Sequence, residues 1–194
     1  TKEDIMKEHL TGQLNQLPFG PLNGVLVVEI GQHVSGPMAA EELARQGALV
    51  IKLEQVKGDP SRVYLSKANF TSLNAAKFSV VLNKNEDVLY SNILALADVI
   101  IDNRSPEAKE KDSILQNFLK LADKKHPVIF CSIVGYDSKE NKHRRALDVS
   151  VQAETGMAMT NAPNPSFPLK VGFTVVDIAT AFKAASHITA HLFY

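Results

Sequence analysis

The sequence predicts an α/β protein with a Rossmann-like, doubly wound parallel sheet and flanking helices. Three observations lead to this prediction. Residues 24–54 have the pattern of a strand, a loop, a helix and a second strand. Short apolar runs then alternate with amphipathic stretches, and the connections between them are short. This alternation is typical of parallel strands that are covered by helices.

Residues 24–54 form the unit on which the predicted fold is built. Residues 25–30 are a near-continuous, largely β-branched run, as expected of a strand buried on both faces. Pro37 suits the first turn of a helix, Gly47 suits its end, and residues 48–53 form the next strand. A right-handed crossover brings the loop GQHVSGP to the carboxyl edge of the sheet, where a helix N-terminus offers N–H groups to an anion. The loop departs from G-x-G-x-x-G, so a nucleotide-like ligand is one of many options for this fold.

Local periodicity predicts the remaining elements. They are a strand at the end of 70–82, a helix over 86–97, a strand over 99–101, a helix over 113–123, a strand over 127–134 and a long helix over 177–194. Before the long helix, Asp148 stands where another helix can begin. Gln152 follows four residues later, which places it on the same helix face.

The chain is predicted to have three parts. Residues 1–20 form an N-terminal helical arm with apolar residues at helical spacing, ended by Pro18 and Gly20. Residues 21–176 form the Rossmann-like core, and residues 177–194 form the long helix.

The composition excludes several functional classes. The 194 residues include 21 basic and 21 acidic side chains, so no charge excess favours nucleic acid or an anionic membrane as partner. The single cysteine, Cys131, rules out an internal disulfide and lies in an apolar run, which favours a buried residue over a nucleophile. No stretch approaches the ~18 apolar residues of a membrane span, and the N-terminal residues lack the apolar core of a signal peptide. We therefore expect a cytoplasmic protein.

Six segments from Pro21 onward occur in the order found in a known family. They read PLNGVLVVEIGQHVSGPMAAEELARQGALVIKLEQVKGDPSR, FTSLNAAKFSVVLN, ADVIIDNRSP, HPVIFCSIVGY, ALDVSVQAETGMAMTN and PLKVGFTVVDIATAFKAASHITAHLF. Each alone is a weak signal, but together they resemble the class III CoA-transferases. This CaiB/BaiF family also contains formyl-CoA transferase and α-methylacyl-CoA racemase.

The resemblance implies binding of CoA thioesters and transfer of CoA between carboxylic acids. It assigns Asp148 as the nucleophile, which forms a mixed anhydride and then an aspartyl-CoA thioester. A helix N-terminus would favour the ionised carboxylate by ~0.3–1 kcal/mol. Gln152 matches a family glutamine that can orient Asp148 or contact substrate. Without the family, Asp148 is more simply a helix N-cap.

Coenzyme A, as acyl-CoA, is the substrate that the resemblance implies, and no metal is implied. The resemblance places the CoA contacts at the loops after the first two strands, with His33, Ser35, Lys52 and Gln55 as candidates. Lys77, Asn103 and Arg104 are further candidates. His33 is equally compatible with a structural histidine, and Lys77 with an ordinary surface lysine.

The sequence also departs from the family pattern. Gln55 stands where many members have arginine, Arg104 replaces a phenylalanine, and Leu147 replaces a tyrosine or histidine. A charged insert over 136–145 replaces a glycine-rich turn. The small second domain and the glycine-rich loop of the family have no counterpart in these 194 residues.

Three functional hypotheses follow. The first is a CoA-transferase acting on an acyl-CoA and a carboxylic acid. The second is an α-methylacyl-CoA racemase with Asp148 as acid and base, although His126 and His143 do not align with the family's histidine. The third is a shortened inactive homologue, or one half of a split enzyme, that acts as a binding module. The expected partners are small molecules and a second copy or a complementary chain, not nucleic acid or membrane.

Overall fold

A parallel five-stranded sheet forms the centre of the part of the chain that the structure describes. The computed structural model describes residues 20–83, 86–125, 127–136, 140–141, 144–164 and 166–194. The strands are β1 (Leu26–Glu29), β2 (Leu49–Gln55), β3 (Lys77–Leu82), β4 (Val99–Asp102) and β5 (Ile129–Ser132). Their order across the sheet is β3-β2-β1-β4-β5, and each neighbouring pair is parallel.

Helices connect the strands and extend the fold after β5. Within the described residues they are α1 (Ser35–Arg45), α2 (Ser61–Tyr64), α3 (Lys67–Leu73), α4 (Asp87–Ala95), α5 (Pro106–Lys111), α6 (Ser113–Lys125), α7 (Asp148–Glu154), α8 (Met157–Thr160) and α9 (Val175–Leu192). None of them is both long and apolar enough to cross a membrane.

The strand order reverses direction between β1 and β4. The chain runs outward from β1 through β2 to β3, then returns to β4 on the other side of β1. Val28 of β1 consequently pairs with Ile51 on one side and Ile100 on the other. In open parallel sheets the loops at the carboxyl ends diverge at such a point and leave a crevice for ligands.

Alternate residues of β1 supply two separate cores, one on each face of the sheet. Val27 packs in a cluster with Leu43 of α1 and Ile188 of α9. Val28 packs in the opposite cluster with Leu94 of α4 and Leu115 of α6. Helices therefore cover both faces, and the prediction of a doubly wound parallel α/β fold is confirmed.

Small side chains let α1 and α9 approach each other closely. The buried residues between them are Ala39, Ala40, Leu43, Ala44, Ala181, Ala185 and Ile188. This packing brings the first turn of α9 beside the loop that leaves β1. The final helix lies two residues earlier than the predicted 177–194, because it begins at Val175 and ends at Leu192.

The observed ends of α1 can be compared with those predicted from Pro37 and Gly47. Gly47 has a φ of 98°, and its amide donates to the Ala44 carbonyl at 3.0 Å, as the prediction of a helix end at this glycine requires. The helix begins at Ser35, so Pro37 is its third residue and lies in the first turn, as predicted. Residues 1–19 of the predicted arm, together with His126 and His143, lie outside the described residues.

Candidate functional site

The loop between β1 and α1 is fastened to the end of β4 by Asn103. The Asn103 amide oxygen accepts from the Gln32 backbone N–H at 2.7 Å, and its nitrogen donates to the Gln32 carbonyl at 2.7 Å. The same nitrogen donates to the Ser35 hydroxyl at 3.0 Å. A Cβ atom on Gly36 would lie 2.9 Å from the Asn103 Cγ, so glycine is needed for this close approach.

His33 lies at the tip of this fastened loop in a left-handed conformation. Its φ is 65°, which few residues other than glycine adopt, and its side chain is exposed. On the other side of His33 from Ser35, the Gly31 carbonyl accepts from Lys52 Nζ at 3.1 Å. Hydrogen bonds on both sides therefore hold His33 at the carboxyl edge of the sheet.

Asp148 is the first residue of α7, but its carboxylate caps α9. Oδ1 accepts from the backbone N–H groups of Val176 at 2.7 Å and Asp177 at 3.2 Å. Oδ2 accepts from Gln152 Nε2 at 2.5 Å. The N-cap of α7 is Leu147, so the simple N-cap interpretation of Asp148 is replaced by a link between two helices.

Gln152 is fully buried and joins Asp148 to the loop before α9. Besides its bond to Asp148, its Oε1 accepts from the Val171 backbone N–H at 2.8 Å. Asp148 and Gln152 were predicted to lie on the same helix face, and in the structure their side chains form a direct hydrogen bond.

Asp177, in the first turn of α9, was not among the site residues predicted from sequence. Burial and the neighbouring Asp148 raise the pKa of the Asp177 carboxyl, while a hydrogen bond with Ser35 and the charge of His33 act in the opposite direction. Asp177 therefore links the loop of β1 to the Asp148 carboxylate. The available sequence signal was an acidic residue inside the segment PLKVGFTVVDIATAFKAASHITAHLF, close to the start of the predicted helix.

Lys52 and Lys77, both predicted to contact CoA, lie buried beneath the same loop. Lys52 Nζ is 2.6 Å from Glu29 Oε1 and 2.9 Å from Asp59 Oδ2. Lys77 Nζ is 2.8 Å from Glu29 Oε2 and donates to the Pro37 carbonyl at 2.7 Å. Each lysine side chain is only 2% exposed, so in this structure both ammonium groups are committed to the protein.

Burial affects the two lysines differently. Burial opposes the charge of Lys52, but Glu29 and Asp59 raise its pKa. Burial lowers the pKa of Lys77, against the opposing influence of Glu29. We call Glu29, Lys52, Asp59 and Lys77 the buried charge cluster.

A cleft opens at the carboxyl ends of the central strands, where the crevice of a doubly wound sheet is expected. It encloses about 620 Å³, including solvent at its mouth. Its lining comprises Ile30, Gly31, Gln32, Leu53, Glu54, Gln55, Gly58, Asp59, Leu82, Tyr90, Arg104 and Asp112. Gly31 and Gln32, in the loop that carries His33, form part of its wall. The same loop contacts Asp177 through Ser35, so it lies between the cleft and the carboxylates of Asp148 and Asp177.

Gln55 and Arg104 are the predicted CoA contacts that line this cleft. The Arg104 guanidinium is 2.8 Å from Asp102 and 2.9 Å from Asp112, which also accepts from the Tyr90 hydroxyl at 2.8 Å. Burial opposes its charge, but these carboxylates raise the pKa of Arg104. Its charge is therefore balanced within the protein, whereas Gln55 is exposed.

The structure thus divides the predicted site residues into three groups. Ser35 and Asp148 contact Asp177; Asn103 and Gln152 bind those two residues, and His33 lies in the same loop as Ser35. Gln55 and Arg104 line the cleft, and Lys52 and Lys77 lie in the buried charge cluster. Nowhere in the described part of the chain do three or more His, Cys, Asp or Glu side chains gather in a way that could hold a metal ion.

Comparison with known proteins gives consistent matches. The family model "CoA-transferase family III" matches residues 22–194. A succinate–glutarate CoA-transferase from Agrobacterium fabrum is 30% identical, over 95% of this chain and 50% of that protein. A formyl-CoA:oxalate CoA-transferase from Streptomyces avermitilis is 29% identical, over 89% of this chain and 44% of that protein.

A solved structure agrees with these matches. The crystal structure of a CaiB/BaiF family protein from Brucella suis superposes with a TM-score of 0.79 and 27% identity, covering 91% of this chain and 50% of that one. The chain spans about half the length of the curated relatives it matches.

Proposed function

Because the chain belongs to CoA-transferase family III, we propose that it binds CoA thioesters and transfers CoA between carboxylic acids through an aspartyl intermediate. Relatives named for succinate–glutarate and formyl-CoA:oxalate transfer support a small dicarboxylic acid as one of the substrates. The observation that carries the proposal is the pair of carboxylates, Asp148 and Asp177, at the N-terminus of α9 beside the loop of the ligand cleft.

The hydrogen bonds favour a division of roles within this pair. Asp148, the nucleophile expected from the family resemblance, is held by three donors, two of them backbone amides of α9. These hydrogen bonds occupy both of its oxygens. The charge on Asp177 is instead disfavoured by burial and by Asp148. We therefore assign the covalent role to Asp177 and the role of holding α9 in place to Asp148 and Gln152.

This assignment gives a balanced reaction. The ionised Asp177 attacks the thioester carbonyl, the C–S bond breaks, and a mixed anhydride and CoA thiolate form. The thiolate attacks the Asp177 carbonyl, releasing the donor carboxylate and leaving an aspartyl-CoA thioester. The acceptor carboxylate displaces thiolate to form a second anhydride, and thiolate attack on the acceptor carbonyl yields the new thioester and free Asp177. Covalent attachment removes a charge that burial opposes, which favours Asp177 as the attacking group.

The cleft is the proposed site for the nucleotide part of CoA. Exposed Gln55 offers a donor and an acceptor there, and the loop of Gly31 and Gln32 leads from the cleft to Asp177. We assign Lys52 and Lys77 a supporting role, because their ammonium groups are bound to Glu29. A cytoplasmic location and assembly with a second copy or a complementary chain complete the proposal.

The second candidate is an α-methylacyl-CoA racemase or epimerase. The specific observation in its favour is His33, whose charge acts on Asp177 from the loop of β1. Such a pair can remove and return a proton at the α-carbon. Exchange of the α-hydrogen of 2-methylacyl-CoA with deuterium from the solvent would favour this activity, and transfer without exchange would exclude it as the main reaction.

The covalent intermediate provides the direct test. The full chain is incubated with succinyl-CoA, and its intact mass and tryptic peptides are measured for a CoA or succinyl adduct. We expect the adduct on Asp177, none in Asp177→Asn, and a slower-forming adduct in Asp148→Asn. An adduct on Asp148 would instead restore the assignment made from family resemblance. Absence of an adduct together with absence of CoA binding by calorimetry would favour the inactive homologue or split-enzyme hypothesis.

A further inference from the structure

The buried charge cluster lies on the sheet face that α1 and α9 cover. Glu29 and Lys52 are Cα partners in the ladder between β1 and β2, so their side chains stand opposite each other on one face. Strand alternation places Glu29 on the same face as Val27, which packs in a cluster with residues of α1 and α9. Lys77 reaches this face from β3. Three neighbouring strands therefore bring these charges together beneath the loop between β1 and α1.

Lys52 holds the first end of this loop. Its Nζ lies 2.6 Å from Glu29 Oε1 and 2.9 Å from Asp59 Oδ2, and it donates to the Gly31 carbonyl at 3.1 Å. These three oxygens match the three hydrogens of an ammonium group. Asp59 also lines the cleft, so Lys52 joins the wall of the cleft to the start of the loop.

Lys77 holds the second end of the loop. Its Nζ lies 2.8 Å from Glu29 Oε2, and it donates to the Pro37 carbonyl at 2.7 Å and to Asn74 Oδ1 at 3.1 Å. Pro37 lies in the first turn of α1, where the loop ends. Glu29 therefore binds one lysine with each carboxylate oxygen, and each lysine holds one end of the loop.

Stability alone is a weak explanation for this arrangement. A buried ion pair costs desolvation, and replacing it with uncharged residues of similar volume is often neutral or stabilising. What the two lysines add is a donor to each end of the loop, at Gly31 and Pro37. A loop that is fixed before its ligand arrives loses less conformational entropy on binding. A displacement of about 1 Å near reacting groups can lower a rate about 100-fold.

We propose that Glu29 is a positioning residue for CoA transfer, which holds both ends of the loop between β1 and α1, through Lys52 and Lys77, in the shape that receives the thioester. The inference rests on the proposed function and deepens it, because this loop forms part of the wall of the cleft and carries Ser35. Glu29 is fully buried and acts through the two lysines.

The charge balance of the cluster and its hold on the loop can be separated by a double substitution. Glu29→Gln leaves buried Lys77 without its ion-pair partner, so we expect a lower thermal midpoint. Glu29→Gln/Lys77→Met removes that pair and leaves Lys52 paired with Asp59, so the midpoint should recover most of the loss. The Pro37 carbonyl has nevertheless lost its donor, and the loop should remain loosened in the double variant.

Hydrogen exchange of the full chain, followed by mass spectrometry, reports on the loop directly. In the double variant we expect a peptide covering residues 31–38 to exchange about tenfold faster than in the wild type, despite the recovered midpoint. Loop exchange that returns to the wild-type rate together with the midpoint would overturn the proposal and make the cluster purely structural.

Lys109→Met is the matched control for removal of a buried lysine. Lys109 is 7% exposed, and its Nζ donates to the Ser132 hydroxyl at 2.7 Å and to the Ile133 carbonyl at 3.2 Å, not to this loop. Its loss should leave the exchange of residues 31–38 at the wild-type rate. Equally fast loop exchange in Lys109→Met would overturn the specific role of Glu29 and Lys77.

A kinetic arm separates this inference from the proposed function. With succinyl-CoA as donor and glutarate as acceptor, the double variant should show a kcat/KM for succinyl-CoA about tenfold below that of the wild type. Transfer at the wild-type rate in the double variant would overturn the inference and leave CoA transfer intact. A wild-type chain that neither binds CoA nor transfers it, but whose variants show the expected exchange, would overturn the proposed function and leave Glu29 as the residue that holds the loop.

Discussion

Asp148 accepts a hydrogen bond at 2.7 Å from the backbone amide of Val176, so a carboxylate on one helix caps the first turn of another. The Asp177 amide donates to the same oxygen at 3.2 Å. The fixed position of Asp177 therefore depends on a residue that precedes it by 29 positions.

Replacing Asp148 should consequently reduce stability as well as activity. We expect Asp148→Ala to lower the free energy of unfolding by about 1–3 kcal/mol, because the amides of α9 and the buried Gln152 lose their acceptor. Urea denaturation followed by circular dichroism measures this change. Glu154→Ala provides the control, since the ion pair between Glu154 and Arg144 is exposed and should contribute within about 0.5 kcal/mol. Equal effects of the two substitutions would contradict the capping role.

The close approach of Gly36 to Asn103 leads to a second prediction. Gly36→Ala places a Cβ 2.9 Å from the Asn103 Cγ, and the loop has to move. We expect a loss of about 1–3 kcal/mol in the free energy of unfolding and a lower rate of CoA transfer. Gly172→Ala is the matched control, because no heavy atom lies within 4 Å of its added Cβ. Combining Gly36→Ala with Asn103→Ala should cost less than the sum of the two changes, and strict additivity would argue against the steric explanation.

Glu54 makes stability depend on pH in the acid range. Burial opposes its ionisation, but hydrogen bonds from Arg62, Ser79 and the Asp59 backbone lower the pKa of Glu54 from 4.5 to about 2. Because the pKa is lower in the folded state, the contribution is complete above about pH 4.5 and is lost as the pH falls towards about 2. Its size is on the order of 3 kcal/mol.

The prediction is tested by measuring unfolding free energies of wild type and Glu54→Gln between pH 7 and about pH 2. The difference between them should shrink within that acid window and stay constant above it. Glu154→Gln serves as the control for a half-exposed carboxylate. A difference that persists unchanged at the acid end would mean that ionisation of Glu54 is not its source.

The buried charge cluster should be sensitive to removal of a single charge. Lys52→Met leaves buried Asp59 without its ion-pair partner and leaves Glu29 with Lys77 alone, and we expect the free energy of unfolding to fall by about 3–5 kcal/mol. Lys57→Met, at an exposed neighbouring position, should change it by less than about 0.5 kcal/mol. Adding Asp59→Asn to Lys52→Met should recover part of the loss, because Glu29 keeps Lys77 as its partner. Its failure to do so would show that packing, rather than charge pairing, determines the cost.

The strands and the main helices follow from signals that are local in the sequence. The apolar run that forms β1 and the glycine after α1 depend only on burial and on backbone conformation, which neighbouring residues determine. The contact between Asp148 and Gln152 was likewise predictable, since a helix brings residues four apart together.

The ion pairs and the burial of the charged residues could not be predicted from the sequence, because their partners lie far away along the chain. Lys52 binds Glu29, which lies 23 positions before it in the sequence. Lys77 binds the same carboxylate, which lies 48 positions before it. Only the register of three strands brings them together, and that register also buries them. Asp177 was missed for the same reason, because packing of α9 on α1, not its local sequence, brings it to Ser35 and His33.

The order of synthesis has a consequence for the pocket around Asp177. His33 and Ser35 emerge from the ribosome early, whereas α9 is translated more than a hundred residues later. Until the alanines of α9 pack on α1, the Asp177 carboxylate is absent from the loop that carries His33 and Ser35. During synthesis, the contacts that join the loop of β1 to Asp148 and Asp177 can therefore form only after α9 has been translated and has packed on α1.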